Sequence, residues 1–414
     1  MDLDLARLRR RVRAGGGLAL RRLGWLPAGM PDGLGEDASL ADRTFDQRVV
    51  VYFAGTSQNI YQLRQWYAPL AVLDARHGVL IVCADSRVAR VVAREQALPV
   101  VTVGRSATLD AMAERSDTAL FCYVGHDVGN FSALRIPSAA HVFLSHGESD
   151  KRVAASNLVK AYDYAFVAGQ GAVDRFAGQL MWFDASAHVV PIGRPQLDGI
   201  ATGPRAGRGD GPVVVLYGPT WEGGQGSSAY SSVVSQGERI VAALVADPRF
   251  RVVYRPHPRT GASDAAYAAA DARIRATLAA AGPGHRVDTG TDPYRTFEGA
   301  DVLITDVSAI AFDWLATGRP LVVTVPPGTA DVASTRLLDT VPRLRASDLP
   351  ALGDLVAREV DLDPTGAERA ALVDYYFGTV GAATARFVAE CDRVVRERDA
   401  LRASVAPRAD RGQG

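Results

Sequence analysis

Short apolar runs alternate with helix-like stretches along most of this chain, and that alternation limits the fold more than any other feature. Helical stretches such as Ile60–Leu73 and Ser86–Glu95 separate the runs. Strands that are apolar on both faces and alternate with helices are typical of a parallel sheet covered on both sides. Seven runs of this kind follow residue 48: Val49–Ala54, Val79–Cys83, Val100–Val103, Ala119–Val124, His141–Leu144, Tyr164–Ala168 and His188–Pro191.

The alternation resumes after a Gly-rich break at residues 199–211, which we interpret as a linker. Predicted strands here are Val213–Tyr217, Arg251–Tyr254, Arg286–Asp288, Val302–Thr305 and Leu321–Val325, and predicted helices are Glu238–Ala246, Ala265–Ala281, one after Ser308, and Thr379–Arg402. The sequence therefore predicts an α/β protein with two doubly wound, Rossmann-like domains, 48–198 and 212–360. A basic segment with a linker precedes them (1–47), and helices long enough to return to the first domain follow (361–414). Ligands bind at the carboxyl ends of such strands, so we expect a cleft between the two domains.

Composition excludes several classes of protein. The 414 residues are 48% hydrophobic and 22% charged, with a formal net charge of +0, as expected of a globular protein that does not bind nucleic acid. The three cysteines, Cys83, Cys122 and Cys391, have neither disulfide nor zinc spacing. No apolar run reaches the roughly 18 residues of a membrane span. We therefore expect a cytoplasmic protein.

The N-terminal residues 1–30 carry seven arginines interleaved with leucines and end near Trp25. One interpretation is a segment that lies on an anionic membrane surface, which would make the protein peripheral on the inner face of the cell membrane. The alternative is a solvated arm, which Gly15–Gly17 favours because three glycines interrupt a helix.

A polar loop, residues 145–151, directly follows the predicted strand His141–Leu144. His146 is a candidate general base, because the pKa of a histidine lies near working pH. Gly147 would let a substrate approach the backbone, and Lys151, one of only two lysines in the chain, would supply positive charge. The alternative is a histidine that caps a helix beside solvated acids.

Three further polar segments follow predicted strands in the second half. Thr220 lies in a rigid turn, and Arg255 and His257 lie in the sequence RPHP, where two prolines fix the backbone and the guanidinium suits a phosphate. Thr305, Asp306 and Ser308 lie between a strand and a helix whose N–H groups and dipole favour an anion. In the alternative interpretation these turns are structural and Ser308 only caps its helix.

The order HG…K, YGPTW, RPHP and ADVLITDVSA…FDWL…GRP resembles the CDP-glycerol glycerophosphotransferase family, the teichoic-acid primases and polymerases. The resemblance covers about residues 140–325 and implies a GT-B fold. It also implies transfer of glycerol phosphate, or a related polyol phosphate, from CDP-glycerol to a hydroxyl of a lipid-linked cell-wall or capsule precursor, with release of CMP. His146 matches the family's proposed base and His257 its phosphate-contacting histidine.

By the same resemblance, Arg255 belongs to the second histidine motif, and Thr305, Asp306 and Ser308 match the segment that holds the diphosphate. The chain differs at Val307 and Ala309, where the family commonly has Tyr and Ser. No Asp/His cluster has metal-ligand spacing, so we expect neither a metal nor a cofactor. Two alternatives stay open: a glycosyltransferase of similar architecture that uses a nucleotide sugar, and a non-catalytic member that binds a nucleotide or polymer.

Overall fold

The computed structural model describes residues 30–148, 156–207, 209–223, 230–327 and 335–405. Thirteen strands lie in these ranges: β1 Val49–Phe53, β2 Val79–Cys83, β3 Val100–Thr102, β4 Leu120–Tyr123, β5 Ala140–Phe143, β6 Tyr164–Val167, β7 Val189–Pro191, β8 Val213–Gly218, β9 Phe250–Tyr254, β10 Arg286–Val287, β11 Val302–Thr305, β12 Leu321–Thr324 and β13 Arg343–Leu344. The predicted basic segment, residues 1–29, and Lys151 lie outside the described residues.

Sixteen α-helices are described: α1 Asp37–Leu40, α2 Ile60–Arg64, α3 Tyr67–His77, α4 Ser86–Glu95, α5 Ser106–Arg115, α6 Phe131–Leu134, α7 Gln170–Gln179, α8 Ala185–His188, α9 Glu238–Val245, α10 Ala265–Ala280, α11 Pro293–Glu298, α12 Ala309–Leu315, α13 Arg336–Thr340, α14 Leu352–Leu362, α15 Gly366–Phe377 and α16 Ala383–Val405. A short π-helix, Val233–Gly237, precedes α9.

The strands form two sheets with the same winding. The first has the order β3-β2-β1-β4-β5-β6-β7, and the second the order β10-β9-β8-β11-β12-β13. All strand pairs with a described register are parallel. The predicted fold class, α/β with two parallel doubly wound sheets, is therefore confirmed.

In each sheet the order in which the strands are added reverses near the centre, between β1 and β4 in the first sheet and between β8 and β11 in the second. A crevice forms at the carboxyl ends of the strands at such a switch point. Thr220 follows β8, while Thr305 ends β11 and Asp306 follows it. The winding thus brings three of the predicted site residues to the switch point of the second sheet.

Burial on both faces explains why the second sheet is so apolar. Val302 and Ile304 pack into one core and Leu303 into the other, and none of the three is exposed. Each such side chain stabilises the fold by roughly 1.5–3 kcal/mol when it is fully buried. The alternation along β11 therefore joins both helical layers to one strand.

Two predicted helices differ from the observed ones. The predicted Ile60–Leu73 is two helices, α2 and α3, because Pro69 lies in the first turn of α3, where its missing N–H is tolerated. The predicted Thr379–Arg402 begins later, at Ala383, because Gly381 has a φ of 93° that no helix accommodates.

Contacts divide the chain into two compact units. Unit 1 contains Met1–His146, Leu158–Ala165 and Val388–Gly414, and unit 2 contains Gly147–Asn157 and Phe166–Phe387. All three cysteines belong to unit 1, where they are buried as free thiols. Burial raises the pKa of the Cys83 thiol to about 12.

Candidate functional site

Asp306 is the centre of a hydrogen-bonded cluster at the switch point of the second sheet. Its side chain is fully buried and accepts hydrogen bonds from Thr220 N at 2.7 Å, from Ser232 N at 3.2 Å and from the Thr324 hydroxyl. Burial raises the pKa of this carboxyl, and the hydrogen bonds oppose that rise without cancelling it. The carboxylate oxygens are thus engaged by the protein's own donors and fix the turn after β8 against the end of β11.

Thr305 and Ser308 complete the β11–α12 turn. The Thr305 hydroxyl donates to Gly218 O at 2.6 Å and lies 3.3 Å from Ser308 Oγ, which in turn lies 3.3 Å from Asp306 O. Ser308 precedes α12 in an extended conformation, and its side chain makes no capping hydrogen bond. Ser308 is therefore not a simple helix cap, and its hydroxyl faces the turn.

His257 lies in the loop after β9, beside aromatic and cationic partners that sequence reasoning missed. Its Nδ1 accepts a hydrogen bond from Arg259 N at 3.1 Å. Its ring stacks on Trp221, with centroids 6.2 Å apart and planes inclined by 25°. The Arg259 guanidinium lies 3.8 Å from the centre of the same indole. The sequence could have indicated both partners, because Trp221 ends the YGPTW motif and Arg259 is two residues from His257.

Glu222 joins the loop after β8 to the loop after β9. Its buried carboxylate accepts hydrogen bonds from Gly261 N at 3.0 Å, Ser263 N at 2.9 Å and the Ser263 hydroxyl at 3.0 Å. Burial acts to raise the pKa of Glu222, but these hydrogen bonds prevail and lower it. The His257 loop is therefore anchored at its far end by an ionised carboxylate.

Arg255 is bonded within unit 2. Its Nη1 donates to Asp288 Oδ2 at 2.7 Å and to Thr296 Oγ1 at 3.3 Å, and its Nη2 donates to Gly290 O at 2.8 Å. The side chain is only 11% exposed. The predicted phosphate contact of Arg255 stays a prediction, and the observed contacts give the residue a structural role.

Gly147 lies against the start of α12. A Cβ atom at this position would come within 2.8 Å of Ala309 Cβ, closer than real Cβ contacts allow. Gly147 therefore cannot gain a side chain without a backbone shift.

His146 belongs to unit 1, where contacts with neighbouring residues order its loop. Its Nδ1 lies 3.1 Å from Val124 O, and its ring meets Tyr61 edge-on with centroids 5.9 Å apart. Ser145 has a φ of 60°, rare for a residue with a side chain, and its carbonyl accepts a 2.7 Å hydrogen bond from Trp66 Nε1. The His146 ring is thus held by the residue that follows β4 and by a tyrosine of α2.

A second histidine, His126, lies near His146 in unit 1. It stacks on Phe143 with centroids 4.0 Å apart, and its buried Nδ1 has no hydrogen-bond partner among the described residues. Burial, and secondarily the charge of His146, lowers the pKa of His126 to about 4. His126 is therefore neutral at physiological pH.

The described ranges contain neither a metal-ligand cluster nor a membrane-spanning helix. No group of three or more His, Cys, Asp or Glu side chains there could hold a metal ion. Over the same ranges, no helix has the length and apolarity to cross a bilayer.

Comparisons with known proteins agree with this architecture. Residues 141–328 match the family model of CDP-Glycerol:Poly(glycerophosphate) glycerophosphotransferase. A structure of the wall teichoic acid polymerase TagF has a TM-score of 0.55 at 14% identity, covering 95% of this chain and 98% of that one. Another TagF structure, soaked with CDPG, has a TM-score of 0.56 at 14% identity, covering 95% and 99%. No curated protein matches the sequence.

A protein crystallised with UDP and glucose is also similar in structure. Anabaena Alr3699/HepE, in complex with UDP and glucose, has a TM-score of 0.52 at 12% identity, covering 84% of this chain and 99% of that one. At these identities the likeness shows the fold. The fold is of the GT-B kind, and the family resemblance predicted from the motifs is confirmed over residues 141–328.

Proposed function

Residues 141–328 match the glycerophosphotransferase family model, and from that premise we propose that this chain transfers glycerol phosphate, or a related polyol phosphate, from a CDP-polyol. The acceptor is a hydroxyl of a lipid-linked cell-wall or capsule precursor, and CMP leaves. Such an acceptor would bring the protein to the inner face of the cell membrane. The family match supports the coarser assignment to nucleotide-linked transferases.

The observation that carries the proposal is that one family match spans every loop predicted to be functional. Residues 141–328 include the His146 loop, the turn at Thr220, the His257 loop and the Asp306 cluster. In unit 2 the last three are joined by hydrogen bonds and stacking through Asp306, Glu222 and Trp221. A phosphoryl-transfer site needs donors fixed in advance around the phosphorus, and bonds of this kind would hold the proposed donors in place.

The proposed chemistry is a single in-line displacement. The acceptor oxygen attacks the phosphorus that bears the polyol, and the bond from that phosphorus to CMP breaks, its electron pair passing to the CMP oxygen. His146 takes the proton of the attacking hydroxyl. His257 and the N–H groups at the start of α12 donate to the phosphoryl oxygens, while Lys151 adds positive charge.

A donor screen tests the proposal. Purified protein is incubated with CDP-glycerol, CDP-ribitol, UDP-glucose and GDP-mannose and a lipid-linked acceptor, and released nucleotides are separated. We expect CMP release, and loss of it in His146→Ala and His257→Ala. The matched control is His188→Ala, a histidine that stacks on Phe183 and belongs to no predicted loop. Ordinary turnover in both site variants would contradict the assignment.

A nucleotide-sugar transferase is the second candidate, because the fold is also that of a protein crystallised with UDP and glucose. There the attack is at an anomeric carbon and a nucleoside diphosphate leaves. Release of UDP or GDP in the same screen would favour this candidate. Binding of a CDP-ligand without turnover on any acceptor would favour a non-catalytic member.

A further inference from the structure

We propose that the backbone holds the two predicted site histidines in opposite neutral tautomers, His146 protonated at Nδ1 and His257 protonated at Nε2. The inference rests on the proposed function for its mechanistic meaning, but its physical content is independent of any substrate. With these tautomers the His146 ring can accept a proton at Nε2, and the His257 ring can donate a hydrogen bond from Nε2.

The tautomer of His146 follows from its partner. Nδ1 lies 3.1 Å from the carbonyl oxygen of Val124. A carbonyl can only accept, so Nδ1 must carry the proton. The neutral ring then has its lone pair on Nε2. When Nε2 takes a proton, the Nδ1–H bond to Val124 O is kept and gains strength from the ring's charge.

The tautomer of His257 follows from the opposite kind of partner. Its Nδ1 accepts the backbone N–H of Arg259 at 3.1 Å. An N–H can only donate, so Nδ1 carries the lone pair and Nε2 carries the proton. Protonation of Nδ1 would set two N–H groups against each other. Stacking on Trp221 holds the ring in the plane that allows the bond.

In the proposed displacement the tautomers determine which histidine takes up a proton and which keeps its own. The acceptor hydroxyl's proton passes to Nε2 of His146, while the new O–P bond forms and the bond to CMP breaks. His257 keeps its proton and hydrogen-bonds a phosphoryl oxygen. CMP leaves as a phosphate anion and takes no proton from His257. Val124 and Arg259 are positioning residues through their backbone groups.

Two-bond ¹H–¹⁵N spectra of ¹⁵N-histidine-labelled protein test the inference. They are recorded above the ordinary histidine pKa of about 6.5, and signals are assigned with single His→Gln variants. We expect the bare-nitrogen signal at Nε2 of His146 and at Nδ1 of His257. His285 is an internal reference, because its Nδ1 also accepts a backbone N–H, that of Val252 at 3.1 Å. An Nε2–H signature for His146, or an Nδ1–H signature for His257, would overturn the inference.

A matched pair of variants tests the cause. Arg259→Pro removes the backbone N–H, whereas Arg259→Ala removes the guanidinium and keeps the N–H. We expect His257 to show both tautomers in the proline variant and only the Nε2–H form in the alanine variant. An unchanged spectrum in a folded Arg259→Pro protein would overturn the role of Arg259 N. The predicted tautomers in a protein that releases no CMP would support this inference and contradict only the proposed function.

Discussion

At the scale of the residue, His126 illustrates how burial makes a titratable group a determinant of stability. The ring stacks on Phe143 and its pKa falls to about 4. Unfolding exposes the ring and returns that pKa to about 6.5, so between these values the unfolded chain binds the additional proton. The contribution of neutral His126 to stability is therefore lost as pH falls from 6.5 towards 4.

We predict that the free energy of unfolding falls by up to about 3 kcal/mol over this pH range because of His126. Urea denaturation at several pH values measures the slope. His126→Phe keeps the stacking on Phe143 without a titratable group, so its slope should be smaller than that of the natural protein. Equal slopes in the two proteins would contradict the prediction.

A second prediction concerns the ring beneath His257. We expect Trp221→Ala to lower kcat for CMP release about tenfold or more, because the histidine loses the face that orients it. Trp221→Phe keeps an aromatic face and should retain most of the activity. The matched control is Trp182→Ala, since Trp182 is 92% exposed and remote in sequence from the predicted loops. Full activity of Trp221→Ala would contradict an orienting role.

At the scale of the element, the Asp306 carboxylate connects four parts of unit 2. It binds the turn after β8, the start of the π-helix Val233–Gly237 and the end of β12 from the end of its own strand, β11. Removal of the carboxylate would leave three buried donors without an acceptor. Each costs about 1–3 kcal/mol when unsatisfied.

Asp306→Ala should accordingly lower the free energy of unfolding by about 3 kcal/mol or more, and Thr324→Val by about 1 kcal/mol. Guanidinium denaturation measures both. Thr277→Val is the control, because that hydroxyl bonds only within its own helix, to Arg273 O, on an exposed face. If Asp306→Ala lowered the free energy of unfolding no more than the control does, the hydrogen bonds to Asp306 would not be what holds these elements together.

The strands and their winding could be predicted from the sequence because each strand carries its own signal. Runs such as Val79–Cys83 and Val302–Thr305 are apolar on both faces, and the structure gives them the predicted bounds. The short strand Arg343–Leu344 has too few residues to show any period and was missed.

Partners distant in the chain could not be predicted in this way. Arg255 pairs with Asp288, 33 residues away, and Thr220 N donates a hydrogen bond to the Asp306 carboxylate. Both contacts depend on tertiary folding. Their polarity and their position after a strand indicated that Arg255, Thr220 and Asp306 were candidate site residues. These features could not distinguish a residue that faces a ligand from one that orders the turn.

At the scale of the whole molecule, the last helix contributes to unit 1 through its final turns. Arg398 on α16 is 7% exposed and donates to Ser138 O at 2.7 Å, Thr118 O at 3.0 Å and Asp117 Oδ1 at 3.0 Å. Two of these acceptors, Thr118 O and Ser138 O, lie two residues before the first residues of β4 and β5. A residue near the C-terminus thus supports strands encoded more than 250 positions earlier.

We predict that Arg398→Ala speeds amide hydrogen exchange in β4 and β5, because their preceding carbonyls lose a charged donor. Mass spectrometry of peptic fragments measures the rates. Arg295→Ala is the control, since that side chain is 87% exposed. Unchanged protection of β4 and β5 in Arg398→Ala would contradict the prediction.

The placement of the cysteines has a practical consequence for spectroscopy. Because the native thiols are buried and confined to unit 1, they should stay unreactive towards maleimide dyes while the protein is folded. Leu362, in unit 2, is 72% exposed, so Leu362→Cys would accept a single fluorophore without any prior removal of native cysteines. The natural sequence is already a suitable background for attaching one optical probe to one chosen half.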